Sequence, residues 1–304
     1  MYTDYFRLRE LPFTLTPDTR FFMGLPSHQE ALNLILVALH SGDGFIKVVG
    51  EVGTGKTLLC RKVLNTLDTN AYVTVYLPNS YLKPDEFRRN VACELGIYVE
   101  GKADDDLLQA ITDRLIDHAH KGQRVVLLVD EVQSMPEETI EALRLLTNLE
   151  TESQKLFQVV LFGQPELDQV LNRQSLRQLK QRIIYSCWLQ TLSPDEVEFY
   201  IMQRMYAAGC QSAALFDHKA CDLIARTSKG VPRLVNILSH KALLVAYGKG
   251  DYRVSVQHAM RAVKDTESVR IPFLFRIKAL LPVMAVLAVA ALVAGSLIRP
   301  GALL

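Results

Sequence analysis

The chain has 304 residues, of which 49% are hydrophobic and 22% charged, and its 34 basic and 33 acidic side chains give a formal net charge of +1. This composition excludes an intrinsically disordered chain and argues against a protein that mainly coats nucleic acid. The length predicts about two domains. Five widely spaced cysteines without a CxxC pair argue against a disulfide framework or a zinc ribbon and favour a reducing compartment.

Helices and strands are predicted to alternate over the first two thirds of the chain. Ser27-His-Gln-Glu30 has the pattern of a capping box and predicts a helix that runs to about Leu39. Short apolar runs predict strands at 45–49, 71–77, 124–129, 156–162 and 184–189. One helix is predicted to follow the loop after the first strand and to end at about residue 67. Further helices are predicted near 84–95, 105–120 and 136–149. The alternation predicts an α/β fold with an open, mostly parallel sheet.

The pattern changes after Gln190. Ser193-Pro-Asp-Glu196 predicts a second capping box with proline at the first helical position, and only helices are predicted from there to about Lys264. The predicted organisation is therefore an α/β domain at 1–190, a helical domain at 191–265 and a linker at 266–278.

One segment differs from the rest in hydrophobicity. Residues 279–298 contain no charge over 20 positions, which predicts a single transmembrane helix, with a buried core helix as the alternative. Arg270, Arg276 and Lys278 precede this segment, and Arg299 follows it within the tail 299–304. The positive-inside rule then places the large domain in the cytoplasm, and no signal-peptide pattern is present at the N-terminus.

The strongest motif follows the first predicted strand. The sequence GEVGTGKT at 50–57 fits GxxxxGK[ST] and stands between a strand and a helix, as a phosphate-binding loop requires. Backbone amides of such a loop surround phosphate oxygens, the lysine reaches the β- and γ-phosphates, and the threonine ligates Mg²⁺. The candidate nucleotide-binding residues are Gly50, Glu51, Val52, Gly53, Thr54, Gly55, Lys56, Thr57 and Leu58. The predicted cofactors are ATP and Mg²⁺.

A second motif ends the strand at 124–129. Asp130 and Glu131 come directly after it, and parallel strands deliver such residues to the ligand-binding edge of a sheet. Asp130 is suited to the Mg²⁺ shell and Glu131 to polarising the attacking water. The alternative is a strand end followed by a helix cap. A side chain such as Glu131 that can take a proton from water favours hydrolysis over phosphoryl transfer to another acceptor. A P-loop kinase is therefore the weaker hypothesis.

A third motif, Gly230-Val-Pro-Arg233, places Arg233 in the first turn of a helix. A cation is unfavourable at that end of the helix dipole unless an anion is near, so a phosphate contact is predicted. A solvated arginine is the alternative.

Together these motifs resemble those of AAA+ ATPases with a helical lid, and more narrowly the ExeA/GspA-like ATPases of bacterial secretion and pilus systems, including that of the MSHA pilus. Further residues carry the resemblance over about positions 1–265: Tyr5-Phe6, Leu11-Pro-Phe13, Thr16-Pro-Asp18, Phe21-Phe22, Gly163-Gln-Pro-Glu-Leu167 and the segment from Leu176 to Ile183.

The resemblance implies additional roles. Gln164 falls at the sensor-1 position, where Asn, Ser or Thr is more usual, and Pro17 lies in the segment that lines the adenine pocket. Arg177 or Arg182 lies where such proteins supply an arginine finger to a neighbouring subunit; a solvated surface helix is the alternative. Arg233 would link loss of the γ-phosphate to movement of the lid.

The resemblance also implies a homo-oligomeric ring such as a hexamer, and protein partners from a pilus or secretion machine. The expected protein is thus an ATPase anchored in the bacterial inner membrane that couples hydrolysis to assembly or positioning of a type IV pilus or secretion machine. Direct contact with peptidoglycan is not expected, since only 299–304 follow the predicted span. Two alternatives remain open: a DNA-remodelling ATPase, for which no distinct basic surface is evident, and a nucleotide-gated scaffold without turnover.

Overall fold

The structure is a computed structural model that describes residues 2–22, 24–42, 44–149, 155–211 and 215–269. The chain divides into two compact units. Of the described residues, those of Thr14–Leu192 and Val231–Leu234 form the sheet unit, and those of Met1–Phe13, Ser193–Gly230 and 235–269 form the helical unit.

Strands and helices alternate in the sheet unit, as the sequence predicts. The strands are β1 Phe45–Gly50, β2 Tyr72–Leu77, β3 Arg124–Val129, β4 Phe157–Gly163 and β5 Ile183–Leu189. The helices of the described chain are α1 Tyr2–Tyr5, α2 Pro26–Ser41, α3 Lys56–Thr66, α4 Pro84–Glu94, α5 Asp104–His120, α6 Glu137–Leu146, α7 Glu166–Leu171, α8 Arg177–Arg182, α9 Pro194–Ala207, α10 His218–Ser228, α11 Pro232–Lys249 and α12 Val256–Lys264.

The five strands form one parallel sheet in the order β2-β3-β4-β1-β5. This confirms the predicted parallel α/β fold. Residues of β1, β3 and β4 are almost all buried, because apolar side chains point to both faces and helices cover both. One face packs against α2 and α3, and the other against α4, α5 and α6. The carboxyl ends of β1, β3 and β4 therefore lie side by side at one edge.

The predicted capping box at Ser27 is wrong. Helix α2 begins one residue earlier, at Pro26, and its N-cap Leu25 makes no side-chain cap hydrogen bond. Proline fixes its own φ near the helical value, so the helix starts at Pro26 and Ser27 lies inside its first turn, where it cannot be the N-cap. His28 is consequently placed on the buried side of α2, with 4% of its surface exposed.

The helical unit contains α9, α10, α12 and most of α11. Helix α9 begins with the predicted capping box, since the Ser193 hydroxyl accepts from the Glu196 amide and the Glu196 side chain accepts from the Ser193 amide. A single parallel bridge between Phe216 and Val254 is the one strand-like pairing among the described residues of this unit.

The N-terminal segment packs within the helical unit, although the sequence analysis placed it at the start of the α/β domain. The Tyr2 hydroxyl lies 2.9 Å from Nδ1 of His240, and Arg204 Nε donates to the carbonyl of Pro12 at 2.6 Å. Both contacts join residues about 200 or more positions apart, so no local pattern announces them. The functional domain boundaries themselves stay a prediction.

The predicted transmembrane helix at 279–298 and most of the linker before it lie outside the described residues. Up to residue 269, the described helices include none with the length and apolar character needed to cross a bilayer.

Candidate nucleotide-binding site

The loop between β1 and α3 has the backbone of a phosphate-binding turn. Gly53 and Gly55 have φ of +83° and +99°, which L side chains rarely adopt. A Cβ atom on Gly50 would lie 2.8 Å from the Thr54 hydroxyl oxygen, and one on Gly53 would lie 2.7 Å from Cβ of Arg233. The glycines are therefore required by both conformation and space.

Lys56 is the first residue of α3, and only 4% of it is exposed. Its ammonium group donates to the carbonyls of Gly50 at 2.8 Å and Glu51 at 3.0 Å. Burial lowers the pKa of Lys56, while the nearby carboxylates of Glu131 and Asp130 oppose the shift. The two carbonyl oxygens compensate part of the buried positive charge of Lys56, and the negative charge of a phosphate would compensate more of it.

Thr57 and Asp130 join the loop to the tip of β3. The Thr57 hydroxyl donates to Oδ2 of Asp130 at 2.6 Å, and Oδ1 of Asp130 accepts from the Glu131 amide at 2.9 Å. Asp130 is 2% exposed, and burial raises its pKa, although the hydrogen bond from Thr57 lowers it. One hydroxyl and one carboxylate are the oxygen ligands that Mg²⁺ takes when phosphates supply the rest.

Among the residues that the structure describes, no cluster of three or more His, Cys, Asp or Glu side chains is suited to hold a metal ion.

Glu131 follows in a left-handed conformation with φ of 54°. The Ser80 hydroxyl donates to its carbonyl oxygen at 2.5 Å. Its side-chain Oε2 accepts from Gln133 Nε2 at 2.6 Å and from Gln164 Nε2 at 2.8 Å. The structure therefore brings the two predicted residues Glu131 and Gln164 into contact at the tips of β3 and β4.

Two residues at the site were missed by sequence reasoning. Gln133 contacts both Glu131 and Gln164, and His28 lies against the phosphate loop, with Nε2 2.7 Å from the Thr54 carbonyl oxygen. For Gln133, the sequence offered only a polar side chain two positions after Glu131. For His28, it offered only a polar side chain on the apolar side of a helix.

The remaining predicted residues occupy different places. Pro17 borders a cavity of about 360 Å³ beside α3, lined also by Thr16, Asp18, Thr19, Arg61, Leu64 and Asn65. Its carbonyl accepts from Arg61 Nη1 at 2.8 Å. Leu58 is half-buried in α3, whereas Val52 is exposed in the loop. The amide of Arg233 donates to the Gly53 carbonyl at 3.2 Å, and its side chain is exposed.

Arg177 and Arg182 are not brought to the loop. They lie in α8, which leads into the amino end of β5, where Ile183 pairs with Phe45 of β1. The phosphate loop follows the opposite end of β1, one strand length away, which is on the order of 20 Å. Within one subunit these arginines are therefore remote from the phosphate loop. Arg182 contacts the Thr147 hydroxyl at 3.4 Å.

The parallel sheet, the glycine-rich loop and the Asp130–Glu131 pair define a P-loop NTPase fold, which implies nucleotide binding. Residues 39–171 match the family model of the AAA domain. The chain is similar to General secretion pathway protein A of Aeromonas hydrophila, with 38% identity over 271 residues, 89% of this chain and 49% of that protein. The chain thus spans about half the length of that relative.

Solved structures with this fold include Cdc6p of Pyrobaculum aerophilum, with a TM-score of 0.66 and 19% identity over 84% of this chain and 70% of that one. The ORC2 protein of Aeropyrum pernix has a TM-score of 0.63 and 17% identity, over 83% of this chain and 69% of that one. Drosophila ORC bound to DNA has a TM-score of 0.61 and 20% identity, over 86% of this chain and 65% of that one. At these identities the likeness shows the fold alone. The narrower resemblance to the MSHA pilus ATPase MshM stays a prediction.

Proposed function

We propose that the protein binds ATP with Mg²⁺ and hydrolyses the β–γ phosphoanhydride bond. The observation that carries this proposal is the 2.6 Å contact between Thr57 and Asp130, which joins the phosphate loop to the β3 tip one residue before Glu131. The residues that bind phosphate, hold the metal and accept a proton from water are thereby gathered at one edge of the sheet.

Each side chain has a separate task. Lys56 exchanges its two loop carbonyls for β- and γ-phosphate oxygens, and amides of the loop hold the phosphates. Thr57 and Asp130 would hold Mg²⁺, which would supply positive charge against the phosphates. Glu131 accepts the proton of the attacking water, and Gln164 holds the Glu131 carboxylate in place. Arg233 extends from the turn that is bonded to Gly53 and contacts the γ-phosphate.

The arginine-finger role of Arg177 or Arg182 is proposed only between subunits, because both residues lie at the far end of the sheet from their own loop. A ring of identical copies is the arrangement that supplies such a residue in trans, and an arginine finger contributes about 10³–10⁵ in rate.

We further propose that hydrolysis drives assembly or positioning of a secretion or type IV pilus machine at the bacterial inner membrane, with its inner-membrane proteins as partners. Support comes from the 38% identity to General secretion pathway protein A and from the charge-free stretch at 279–298. In this proposal the stretch anchors the protein, and both compact units lie in the cytoplasm.

A DNA-remodelling ATPase is the second candidate, since Drosophila ORC was solved bound to DNA and shares the fold. The near-neutral charge of +1 favours the first candidate. DNA binding that weakens steeply with salt would favour the second.

The test compares wild-type full-length protein in lipid nanodiscs with Glu131→Gln and with the exposed control Glu138→Gln. Glu131→Gln is expected to bind ATP like wild type and to lose turnover about 10²–10⁴-fold, as removal of a general base does. Wild-type turnover in Glu131→Gln would refute the role of Glu131. ATP binding without phosphate release by wild type would instead establish the nucleotide-gated scaffold.

A further inference from the structure

Both the nitrogen and the oxygen of the Gln133 side-chain amide make hydrogen bonds. Its Nε2 donates to Glu131 Oε2 at 2.6 Å, and its Oε1 accepts from the backbone amide of Gln164 at 2.9 Å. Gln164 Nε2 also donates to Glu131 Oε2, at 2.8 Å. The three residues form a closed ring of hydrogen bonds that connects the turn after β3 with the tip of β4.

The ring distinguishes the two oxygens of the Glu131 carboxylate. Both amides donate to Oε2, whereas Oε1 accepts no hydrogen bond from the residues that the structure describes. A carboxylate oxygen that already accepts two hydrogen bonds is a poor acceptor for a third, so Oε1 is the oxygen left for a proton from water.

The backbone at Glu131 is held independently of this ring. Its φ of 54° is uncommon for a residue with a side chain. Ser80 fixes the Glu131 carbonyl, and the Ser134 amide donates to the same carbonyl at 2.9 Å. With the backbone fixed in this way, the orientation of the carboxylate depends on the two glutamine amides.

The chemistry of Gln133 suits this place. A carboxamide carries a donor and an acceptor on one planar group, and both are used here. Asparagine would be one methylene too short to reach both partners from the same backbone position. Gln133 is half-buried, and its neighbours Val132 and Met135 are buried, so the side chain is confined to this direction.

We propose that Gln133 is a positioning residue that presents Oε1 of Glu131 to the attacking water and couples the Glu131 carboxylate to the tip of β4. The inference rests on the proposed ATP hydrolysis. Because the amide of Gln164 is bonded to Gln133, a shift of the β4 tip on γ-phosphate loss is passed directly to the Glu131 carboxylate.

The experiment uses two variants of the full chain with different chemistry. Gln133→Met keeps the length and removes both hydrogen bonds. Gln133→Glu keeps the acceptor for the Gln164 amide but places a carboxylate against Glu131 instead of a donor. Gln257→Met, the same change at an exposed glutamine of α12, is the control. Turnover, KM and the dissociation constant for ATP·Mg²⁺ are measured for each protein.

We expect both Gln133 variants to bind ATP within about twofold of wild type and to lose tenfold or more in kcat, since small misplacements of a reacting group cost up to about 10²-fold. Gln133→Glu sets a negative charge against the Glu131 carboxylate in place of a donor, so its loss in kcat is expected to be at least as large as that of Gln133→Met.

Two results would overturn the inference: wild-type kcat in Gln133→Met, or a parallel loss of ATP affinity and thermal stability that accounts for the lower rate. A wild-type protein that releases no phosphate would overturn the proposed hydrolysis itself, and with it the reaction that Gln133 serves. The two failures are therefore distinguishable from the wild-type rate alone.

Discussion

The backbone amide of Arg233 donates a hydrogen bond to the carbonyl oxygen of Gly53, 3.2 Å away. The first residues of α11 are thereby bonded to the phosphate loop, although the two segments are 180 positions apart in the chain. The close approach requires glycine, because a Cβ at position 53 would lie 2.7 Å from Cβ of Arg233. The arginine that the sequence assigns to phosphate contact is thus tied to the loop through its own backbone.

Gly53→Ala should weaken ATP binding at least tenfold, because the new methyl group forces Arg233 and the loop apart. Gly122→Ala is the matched control: its φ is +74°, close to the +83° of Gly53, but a Cβ there meets nothing within 4 Å. Both variants carry a left-handed alanine that costs about 1–2 kcal/mol. Calorimetric titration with ATP·Mg²⁺ measures the difference, and equal affinities for the two variants would contradict the prediction.

Lys56→Ala should abolish ATP binding, since it removes the ammonium group that is buried between the Gly50 and Glu51 carbonyls. We expect no measurable heat at millimolar ATP, with the helical content unchanged by circular dichroism. Lys121→Ala, an exposed lysine after α5, should bind like wild type. Uptake of ATP·Mg²⁺ by folded Lys56→Ala at wild-type affinity would refute the assigned role of this lysine.

His28 should act through its Nε2 atom, which lies 2.7 Å from the Thr54 carbonyl oxygen. The amide nitrogen of glutamine reaches about as far, so His28→Gln should keep ATP affinity within about threefold of wild type. His28→Leu keeps the bulk without the donor and should lose about fivefold in ATP affinity, the equivalent of one hydrogen bond of about 1 kcal/mol. Equal affinities for the leucine and glutamine variants would show that His28 only fills space.

Stability should fall as pH decreases below about 6.5 because of His240. Burial lowers the pKa of this imidazole from its ordinary 6.5, so the unfolded chain takes up a proton before the folded one does. The penalty is absent above the unfolded pKa and grows as pH falls toward the lowered folded pKa. Urea unfolding at pH 7.5 and 5.5 should show a smaller pH effect in His240→Gln than in wild type or in the exposed control His40→Gln. An unchanged pH effect in His240→Gln would contradict this assignment.

Local patterns were sufficient for much of the fold and the site. The apolar runs predicted all five strands to within a residue or two at each end. The GKT loop with its flanking strand and helix predicted Lys56 and Thr57 as nucleotide-binding residues, and these roles stay predictions. The capping box at Ser193 was also confirmed. The box predicted at Ser27 was wrong because Pro26, one residue earlier, starts the helix by fixing its own backbone.

The sequence by itself determined the features that neighbouring residues create together: the phosphate loop, the acidic pair after β3 and the alternation that builds a parallel sheet. Only the tertiary structure decided which distant residues meet. Gln133 and Gln164 meet because β3 and β4 are adjacent in the sheet, and His28 meets Thr54 because α2 packs beside the loop. Arg177 and Arg182 are remote from their own loop because α8 enters β5 at its amino end. Strand order and helix packing result from burying apolar surface over the whole unit, and no short stretch of sequence contains that information.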